Sequence, residues 1–245
     1  MISLRVRDRV IWLTFHTAMM FPVALRVIPT RVWSSEALNR VDFLALPSIP
    51  CHLDVNLEIT PALKGAFKTA HSGSITPTSN DVLPSPFSGN VCVKQVYFSG
   101  VGGVVKCHHP ADEQTYITSE ACCLDWARIL LNLTYQFMET YEGDNGDFSG
   151  TIPNLRFVEA AIAKTDLGKL FLVEEWINTS EVPFVKYINN GRVVSCIPQH
   201  APEEMQNIAN FLCFAQHVQY QVTKGTLFAS DYQGVSQEVK AEVIG

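Results

Sequence analysis

An acidic residue and an amide stand two positions apart near the end of the chain, in the Asp-Tyr-Gln-Gly segment at positions 231–234. The apolar run at positions 225–230 precedes them and predicts a strand. Because residues i and i+2 of a strand point to the same side, we expect Asp231 and Gln233 to project together if the strand continues. A carboxylate there could take a proton from a hydroxyl, and an amide oxygen could hold a cation.

A lysine in the middle of an apolar run is the second candidate for chemistry. Lys94 interrupts the segment from Val91 to Phe98, which predicts a strand. A buried amine without a partner would be costly, so a central Lys94 should face an acidic group. The alternative is a place at the solvent edge of an ordinary strand. Lys106, in Val-Val-Lys at 104–106, is the rival lysine.

Composition restricts the classes of function. The chain has 245 residues, 47% of them hydrophobic and 17% charged, which is ordinary for a globular protein. One domain is the default, with two small lobes as the alternative. The net charge of -6 and the lack of a Lys/Arg cluster argue against a nucleic-acid partner. Seven cysteines, with no Cys-x-x-Cys pair, favour reduced thiols and an intracellular, cytoplasmic location.

The N-terminus differs from the rest of the chain. Three arginines, at positions 5, 7 and 9, precede the apolar stretch from Val10 to Leu25, which His16 and Pro22 interrupt. The stretch is short for a membrane span. It leaves three interpretations open: a signal or anchor segment, an organellar presequence, or an extension upstream of the domain. The last is favoured, so residues 1–52 are expected to form an extension, and a membrane partner is not expected.

The remaining patterns predict an α+β layout in which strands, a helix, a hairpin, a helix and a strand follow one another. The long helix should cover residues 117–141, capped by Thr118 or Ser119, and a second helix should cover 202–224. The other predicted elements are strands at 55–59 and 91–98, a strand at 104–107 that pairs back, a loop at 70–90, and a hairpin of 155–163 with 170–177.

Four segments, in order, resemble the α-type (atypical) protein kinases, and more specifically their fungal members. They are residues 90–97, 171–177, 184–191 and 211–234, which are similar to the phosphate-lysine strand, the hinge strand, the Lys-Tyr-Asn-Asn-Asn loop and the last helix with the catalytic strand. The resemblance implies a two-lobed kinase-like fold at 53–235, with an incomplete C-terminal lobe and a divergent tail at 236–245.

The resemblance also implies roles for the basic residues and the hinge. Lys94 and Lys68 would hold phosphates, and Glu120 would orient Lys94. Residues 61–68 are similar to the family's Pro-Phe-Ala-x-Gly-x-x-Arg turn, in which Gly65 lets the backbone approach a phosphate. Lys68 replaces the family's arginine and loses its bidentate fork. The backbone groups of two hinge residues, Glu175 and Ile177, would bind adenine.

At the catalytic strand, the resemblance makes Asp231 the base and Gln233 a ligand of Mg²⁺, with Asn190 as a second candidate ligand. The family's Leu-Thr-Asp-Pro motif and terminal His/Cys zinc cluster have no counterpart after Gly234, so the resemblance predicts a truncated member without zinc. The run Cys-His-His at 107–109 does not predict a metal site, because three successive residues rarely converge on one ion.

The function implied by the resemblance is ATP-dependent phosphorylation of serine or threonine in a protein substrate. ATP and Mg²⁺ are the expected cofactors. Because the metal-binding aspartate has no counterpart, a second class stays open. In that class the chain is a catalytically inactive pseudokinase, or a fragment, that acts as a nucleotide- or protein-binding module.

Overall fold

The structure is a computed structural model that describes residues 15–22, 47–57, 65, 67–78, 80, 82–100, 105–145, 152–178, 183–190 and 194–236. It divides into two compact units. The first comprises residues 1–132 and 155–176, and the second comprises residues 133–154 and 177–245.

The first unit is built on antiparallel strands. They are β1 (Phe15–Pro22), β2 (Ile49–Val55), β3 (Lys68–Pro77), β4 (Gly89–Ser99), β5 (Val105–Cys107), β6 (Ala160–Thr165) and β7 (Leu170–Glu175). β3 pairs with β2 along one side and with β4 along the other. Since β1 joins β2 to β6, and β7 joins β6 to β4, six strands form a continuous ring of pairs. β5 pairs with the last three residues of β4.

The two faces of the strands in this ring carry separate apolar cores. On β4, Val91 and Val93 belong to a cluster that includes Leu53 of β2 and Phe171 of β7. Val96, on the opposite face, packs with the other cluster. That second cluster contains Ile117 and Ala121 of helix α1 (Pro110–Asn145), together with Ala160, Ile162, Leu170 and Leu172 of the hairpin. Lys94 shares the face of Val96, because side chains alternate along a strand.

The second unit contains the C-terminal part of α1, helix α2 (Glu203–Val222) and a small sheet of β8 (Val185–Lys186) with β9 (Gln233–Gly234). Pro202 precedes α2, and Gly225 follows it with a φ of 78°, a conformation open to glycine at a helix end. The boundaries predicted for this helix are therefore confirmed to within two residues. Neither helix, within the described residues, has an apolar stretch long enough to cross a membrane.

Several local predictions are also confirmed. The strand predicted at 91–98 is the central part of β4, and the residues before His108 pair back as β5. The predicted hairpin is β6 and β7, with Ala163 opposite Phe171 and a turn at Gly168, where φ is 78°. The strand before the turn is shorter than predicted, since it begins at Ala160.

The predicted loop at 70–90 is wrong for its first half, which is β3. Its serine, threonine and glycine content is typical of loops, but Gly73 has a specific packing role. A Cβ at Gly73 would lie 2.8 Å from the Asp54 carbonyl oxygen and 2.8 Å from Val93 Cγ2. The absent side chain therefore lets β3 lie close to both of its neighbours.

Three other element predictions differ from the structure. Helix α1 begins at Pro110, so Thr118 lies inside it and its hydroxyl bonds to the Gln114 carbonyl oxygen at 2.8 Å instead of capping the helix. The strand predicted at 55–59 lies earlier, as β2. All of β1 and the first four residues of β2 fall in residues 1–52, where the sequence predicts no element beyond an apolar stretch. The domain boundary at residue 52 stays a prediction.

Candidate functional site

Lys94 forms a buried ion pair in the first unit. Its Nζ lies 2.5 Å from Glu174 Oε1, and both side chains are at most 6% exposed. The strand register explains the contact: Lys94 stands opposite Leu172 and Cys92 stands opposite Glu174, so the lysine and the glutamate are diagonal neighbours on one face. The expected acidic partner of Lys94 therefore exists. It is a residue of the neighbouring strand.

Glu120 contacts a different lysine. Its carboxylate pairs with the amine of Lys68, at the start of β3, and this pair is partly exposed. The implied pairing of Glu120 with Lys94 is not formed in this structure, in which Glu120 pairs with Lys68 and Lys94 pairs with Glu174. Lys106, the rival lysine, is exposed on β5 opposite Phe98. Lys94 is thus the buried lysine of the two.

The turn that carries Gly65 and Lys68 is tied to β4. The Gly65 amide donates to the Lys68 carbonyl oxygen at 2.8 Å, and the Tyr97 hydroxyl donates to the Gly65 carbonyl oxygen. The Tyr97 amide donates to the carbonyl oxygen of Phe67 at 3.1 Å. These bonds fix the Gly65 backbone beside the strand that holds Lys94, although the Gly65 amide itself is already engaged.

Glu175, which the resemblance predicts to be a hinge residue, is held by hydrogen bonds to its side chain and to its backbone. Arg156 donates to its two carboxylate oxygens at 2.6 and 2.5 Å, and this bidentate contact lowers the pKa of the Glu175 carboxyl. The Glu175 amide donates to the Glu159 carbonyl oxygen at 2.9 Å, so that backbone donor is already used. Ile177 is half-buried and begins the second of the two segments that form the second unit.

In the second unit, Asp231 pairs with the amine of Lys186 on β8. Asp231 has a φ of 64°, in the left-handed region, where few residues other than glycine, asparagine and aspartate are found. The next residue anchors the chain: the Tyr232 carbonyl oxygen accepts from the amides of Tyr187 at 2.9 Å and Ile188 at 3.2 Å. The left-handed turn thus sets the direction of the Asp231 carboxylate.

The strand predicted at 225–230 is wrong, and the geometry predicted from it changes as well. The only strand here is β9, which begins at Gln233. Side chains of α2 take the place of a neighbouring strand, since the Ala229 amide donates to Gln219 Oε1 at 2.8 Å and its carbonyl oxygen accepts from Gln216 at 3.0 Å. With Asp231 in a left-handed conformation, strand alternation no longer places its side chain beside that of Gln233.

The described residues do not fit a Mg²⁺ ion by themselves. Magnesium prefers oxygen ligands and is commonly bound through carboxylates. Asp231 is the one carboxylate among the three predicted residues, and Lys186 already engages it. Gln233 is half-buried on β9 and Asn190 is exposed. Within the described part of the chain, no three His, Cys, Asp or Glu side chains converge as metal ligands.

Two charged residues that pair with predicted site residues, Glu174 with Lys94 and Lys186 with Asp231, were not themselves predicted as site residues. Glu174 precedes the predicted hinge residue Glu175, and its pairing with Lys94 can be recognised only once the register of β4 with β7 is known. Lys186, the partner of Asp231, lies in the segment 184–191 that carries the resemblance, so its presence there was the available signal. The predicted site residues include the kinds of group that phosphoryl transfer uses: cations that can bind phosphates, and a carboxylate that can accept a proton from a hydroxyl.

Comparison with known proteins gives the family. A model of the alpha-kinase family matches residues 64–241, well over half of the chain. Among solved structures, the chain is similar to the alpha-kinase domain of myosin heavy chain kinase A in complex with ADP, with 11% identity, a TM-score of 0.46, and coverage of 91% of this chain and 80% of that one.

A C-terminally truncated alpha-kinase domain of myosin heavy chain kinase shows 12% identity, a TM-score of 0.48, and coverage of 91% and 81%. Because both TM-scores are below 0.5, the assignment rests on the family model. No curated protein matches the chain.

Proposed function

We propose that this chain, which belongs to the alpha-kinase family, transfers the γ-phosphoryl group of ATP to serine or threonine in a protein substrate. The observation that carries the proposal is the buried pair of Lys94 and Glu174 on the segments that resemble the phosphate-lysine and hinge strands. A buried ion pair is weak support for stability alone, since an apolar pair of the same volume is often as stable. Binding of a phosphate ligand by Lys94 gives a better reason for the presence of this buried pair.

The proposed roles follow from charge. Lys94, held in place by Glu174, contacts the phosphates of ATP, and Lys68, partly exposed beside Glu120, contacts them as a second cation. Phosphoryl transfer is accelerated mainly by such positioning and by neutralisation of negative charge. Glu175 and Ile177 remain the proposed adenine contacts. The Glu175 amide would have to release Glu159 to take part.

Asp231 is the proposed base. The substrate hydroxyl attacks the γ-phosphorus, the bond from phosphorus to the oxygen of ADP breaks, and the hydroxyl proton passes to Asp231. Lys186 pairs with the Asp231 carboxylate in this structure and restricts its orientation. No step is assigned to Mg²⁺, and Gln233 and Asn190 stay predicted ligands.

Three broader statements belong to the same proposal. The domain includes β1, since β1 pairs with β6 in the ring. The resemblance to fungal members supports a fungal-type subfamily. A cytoplasmic location is supported by the seven free cysteines, because reduced thiols are typical of that compartment.

Transfer of labelled phosphate to a basic protein rich in serine and threonine tests the function. We expect incorporation with the wild-type chain, recovery of the label on phosphoserine or phosphothreonine, and loss of it with Asp231→Asn. The matched control is Asp166→Asn, at the exposed tip of the hairpin. Equal incorporation by the wild type and Asp231→Asn would overturn the proposal.

Nucleotide binding is tested separately. A ligand that binds only the folded state stabilises it by RT ln(1 + [L]/Kd), so the unfolding temperature rises with the logarithm of the ligand concentration once that exceeds Kd. We expect ATP to raise that temperature for the wild type and for the exposed-lysine control Lys106→Met, but not for Lys94→Met. Stabilisation by ATP without any phosphate transfer would instead identify a nucleotide-binding module.

A further inference from the structure

A buried glutamine of helix α2 lies behind the segment that carries Asp231. Gln219 is 0% exposed. Its Oε1 accepts from the Ala229 amide at 2.8 Å, and its Nε2 lies 3.3 Å from the Tyr232 hydroxyl oxygen. Its side chain therefore contacts the chain two residues before Asp231 and one residue after it.

The same amide group also reaches helix α1. Gln219 Nε2 lies 3.3 Å from the hydroxyl oxygen of Thr134, which is fully buried. Gln219 thus needs an acceptor oxygen for a backbone amide and donor hydrogens for two hydroxyl oxygens. Glutamine supplies both kinds of group, whereas ionised glutamate has no donor, and methionine has no donor and only a weak acceptor.

Gln219 is the middle member of a polar row on α2. Gln216 and Gln219 are followed by Thr223, the C-terminal cap of the helix, at spacings of three and four residues, so all three lie on one side of it. The Thr223 hydroxyl is hydrogen-bonded to the Leu227 backbone, with 3.1 Å to its amide nitrogen. Together with the bonds to Ala229, this row satisfies backbone groups that have no strand partner.

The conformation of Asp231 is determined by fixed points on its two sides. Before it, Ala229 is held by Gln219 and Gln216; after it, the Tyr232 backbone is held by Tyr187 and Ile188. A left-handed conformation at a residue with a side chain costs roughly 1–2 kcal/mol and persists only when the surroundings determine it. The two contacts of Gln219, with the Ala229 amide and with the Tyr232 hydroxyl, help to hold Asp231 in this conformation.

We propose that Gln219 is a positioning residue for Asp231, which it acts on through Ala229 and Tyr232. Its loss lets the segment 229–232 relax, so the carboxylate leaves the direction in which it meets Lys186 and the substrate hydroxyl. The inference rests on the proposed function for its catalytic consequence. The Tyr232 hydroxyl oxygen also lies 3.5 Å from Gln219 Oε1, to which the phenol can donate, and burial raises the pKa of this phenol to about 12.

The central variant is Gln219→Met, which keeps the volume of the side chain and removes both hydrogen-bonding groups. The matched control is Gln221→Met, the same substitution at an exposed position of α2. Tyr232→Phe removes only the hydroxyl contact and serves as a second variant if Gln219→Met does not fold. All variants are assayed below their unfolding temperatures.

We expect Gln219→Met to lower kcat about 10- to 100-fold, because a misplaced catalytic group is costly, while the KM for ATP changes little. Tyr232→Phe should lower kcat less, and Gln221→Met should leave it unchanged. A folded Gln219→Met with wild-type kcat would overturn the positioning role and leave the proposed function intact. A loss of kcat/KM that comes only from a raised KM for ATP, with kcat unchanged, would overturn the positioning role as well.

A second readout does not need activity. Amide hydrogen exchange at 229–232 should accelerate in Gln219→Met and not in Gln221→Met, while exchange in β4 stays unchanged. If the wild type transfers no phosphate, the proposed function fails, yet this readout still decides the positioning role. Unchanged exchange at 229–232 in a folded Gln219→Met would refute it.

Discussion

The amine of Lys94 and the carboxylate of Glu174 meet on neighbouring antiparallel strands, two residues out of register, with Nζ and Oε1 2.5 Å apart. Both side chains are buried against the face of the strands that α1 covers. The second carboxylate oxygen, Glu174 Oε2, has no hydrogen-bond partner among the described residues. Burial of the pair therefore has a desolvation cost that its hydrogen bond offsets only in part, so removing one or both charges should change the free energy of unfolding measurably.

We expect Lys94→Met to lower the free energy of unfolding by about 3–5 kcal/mol, because it leaves a buried carboxylate without its partner. The double variant Lys94→Met with Glu174→Leu should recover most of that loss, since it replaces both charges by apolar groups. Urea unfolding of the two single variants and the double variant measures this. A double variant as unstable as Lys94→Met would contradict the account.

The close approach at Gly73 predicts a steric cost. We expect Gly73→Ala to lower the free energy of unfolding by about 1–3 kcal/mol, because the new methyl group overlaps the Asp54 carbonyl oxygen and Val93. Adding Val93→Ala should relieve only part of it, since the contact with the β2 backbone remains. Gly234→Ala, where no atom lies within 4 Å, is the control. Equal stability of the two alanine variants would show that β3 adjusts freely.

His71, on β3, predicts a dependence of stability on pH. Burial lowers its pKa below the ordinary 6.5, and a hydrogen bond from the imidazole to the Asn56 backbone opposes the shift. Below pH 6.5 the unfolded chain binds a proton that the folded chain resists, so the free energy of unfolding should fall as pH drops from 7 to 5. We expect His71→Gln to reduce this slope and exposed His52→Gln to keep it. An unchanged slope in folded His71→Gln would exclude His71 as the cause.

The conformation of Asp231 separates stability from activity. Its pair with Lys186 is more than a third exposed on both sides, so the pair itself should contribute little to folding. The left-handed φ of 64° favours glycine, and we therefore expect Asp231→Gly to be about 1 kcal/mol more stable than Asp231→Ala. Both should lose phosphate transfer. Thermal unfolding and the transfer assay, run together, test this; an Asp231→Ala variant as stable as Asp231→Gly would remove the argument for strain.

The elements that the sequence predicts well are those formed by neighbours in the chain. The β6–β7 hairpin follows from two apolar runs around Gly168, and α2 follows from Pro202, an apolar face and Gly225. In each, the residues that start, stop or turn the element lie next to it. The family follows from the same kind of local signal, because the resembling segments keep their own residue patterns.

The features that the sequence does not predict depend on contacts between distant residues. β3 looks like a loop until its two neighbours show why Gly73 is needed. The run 225–230 looks like a strand, but Gln219 and Thr223 bind its backbone from α2. The partner of Lys94 could not be chosen between Glu120 and Glu174 without the register of β4 with β7.

The ring of strands also sets an order of events during synthesis of the chain. β1 and β2 emerge early, but the ring cannot close until β6, far along the chain, is available to pair with β1. Pairings between distant segments are slow to form, because a long loop must be closed first. Until then β1 has an open edge, and such edges are templates for association with other chains. Until the β6–β7 hairpin has left the ribosome, the open edge of β1 is therefore a site at which the nascent chain can associate with other chains.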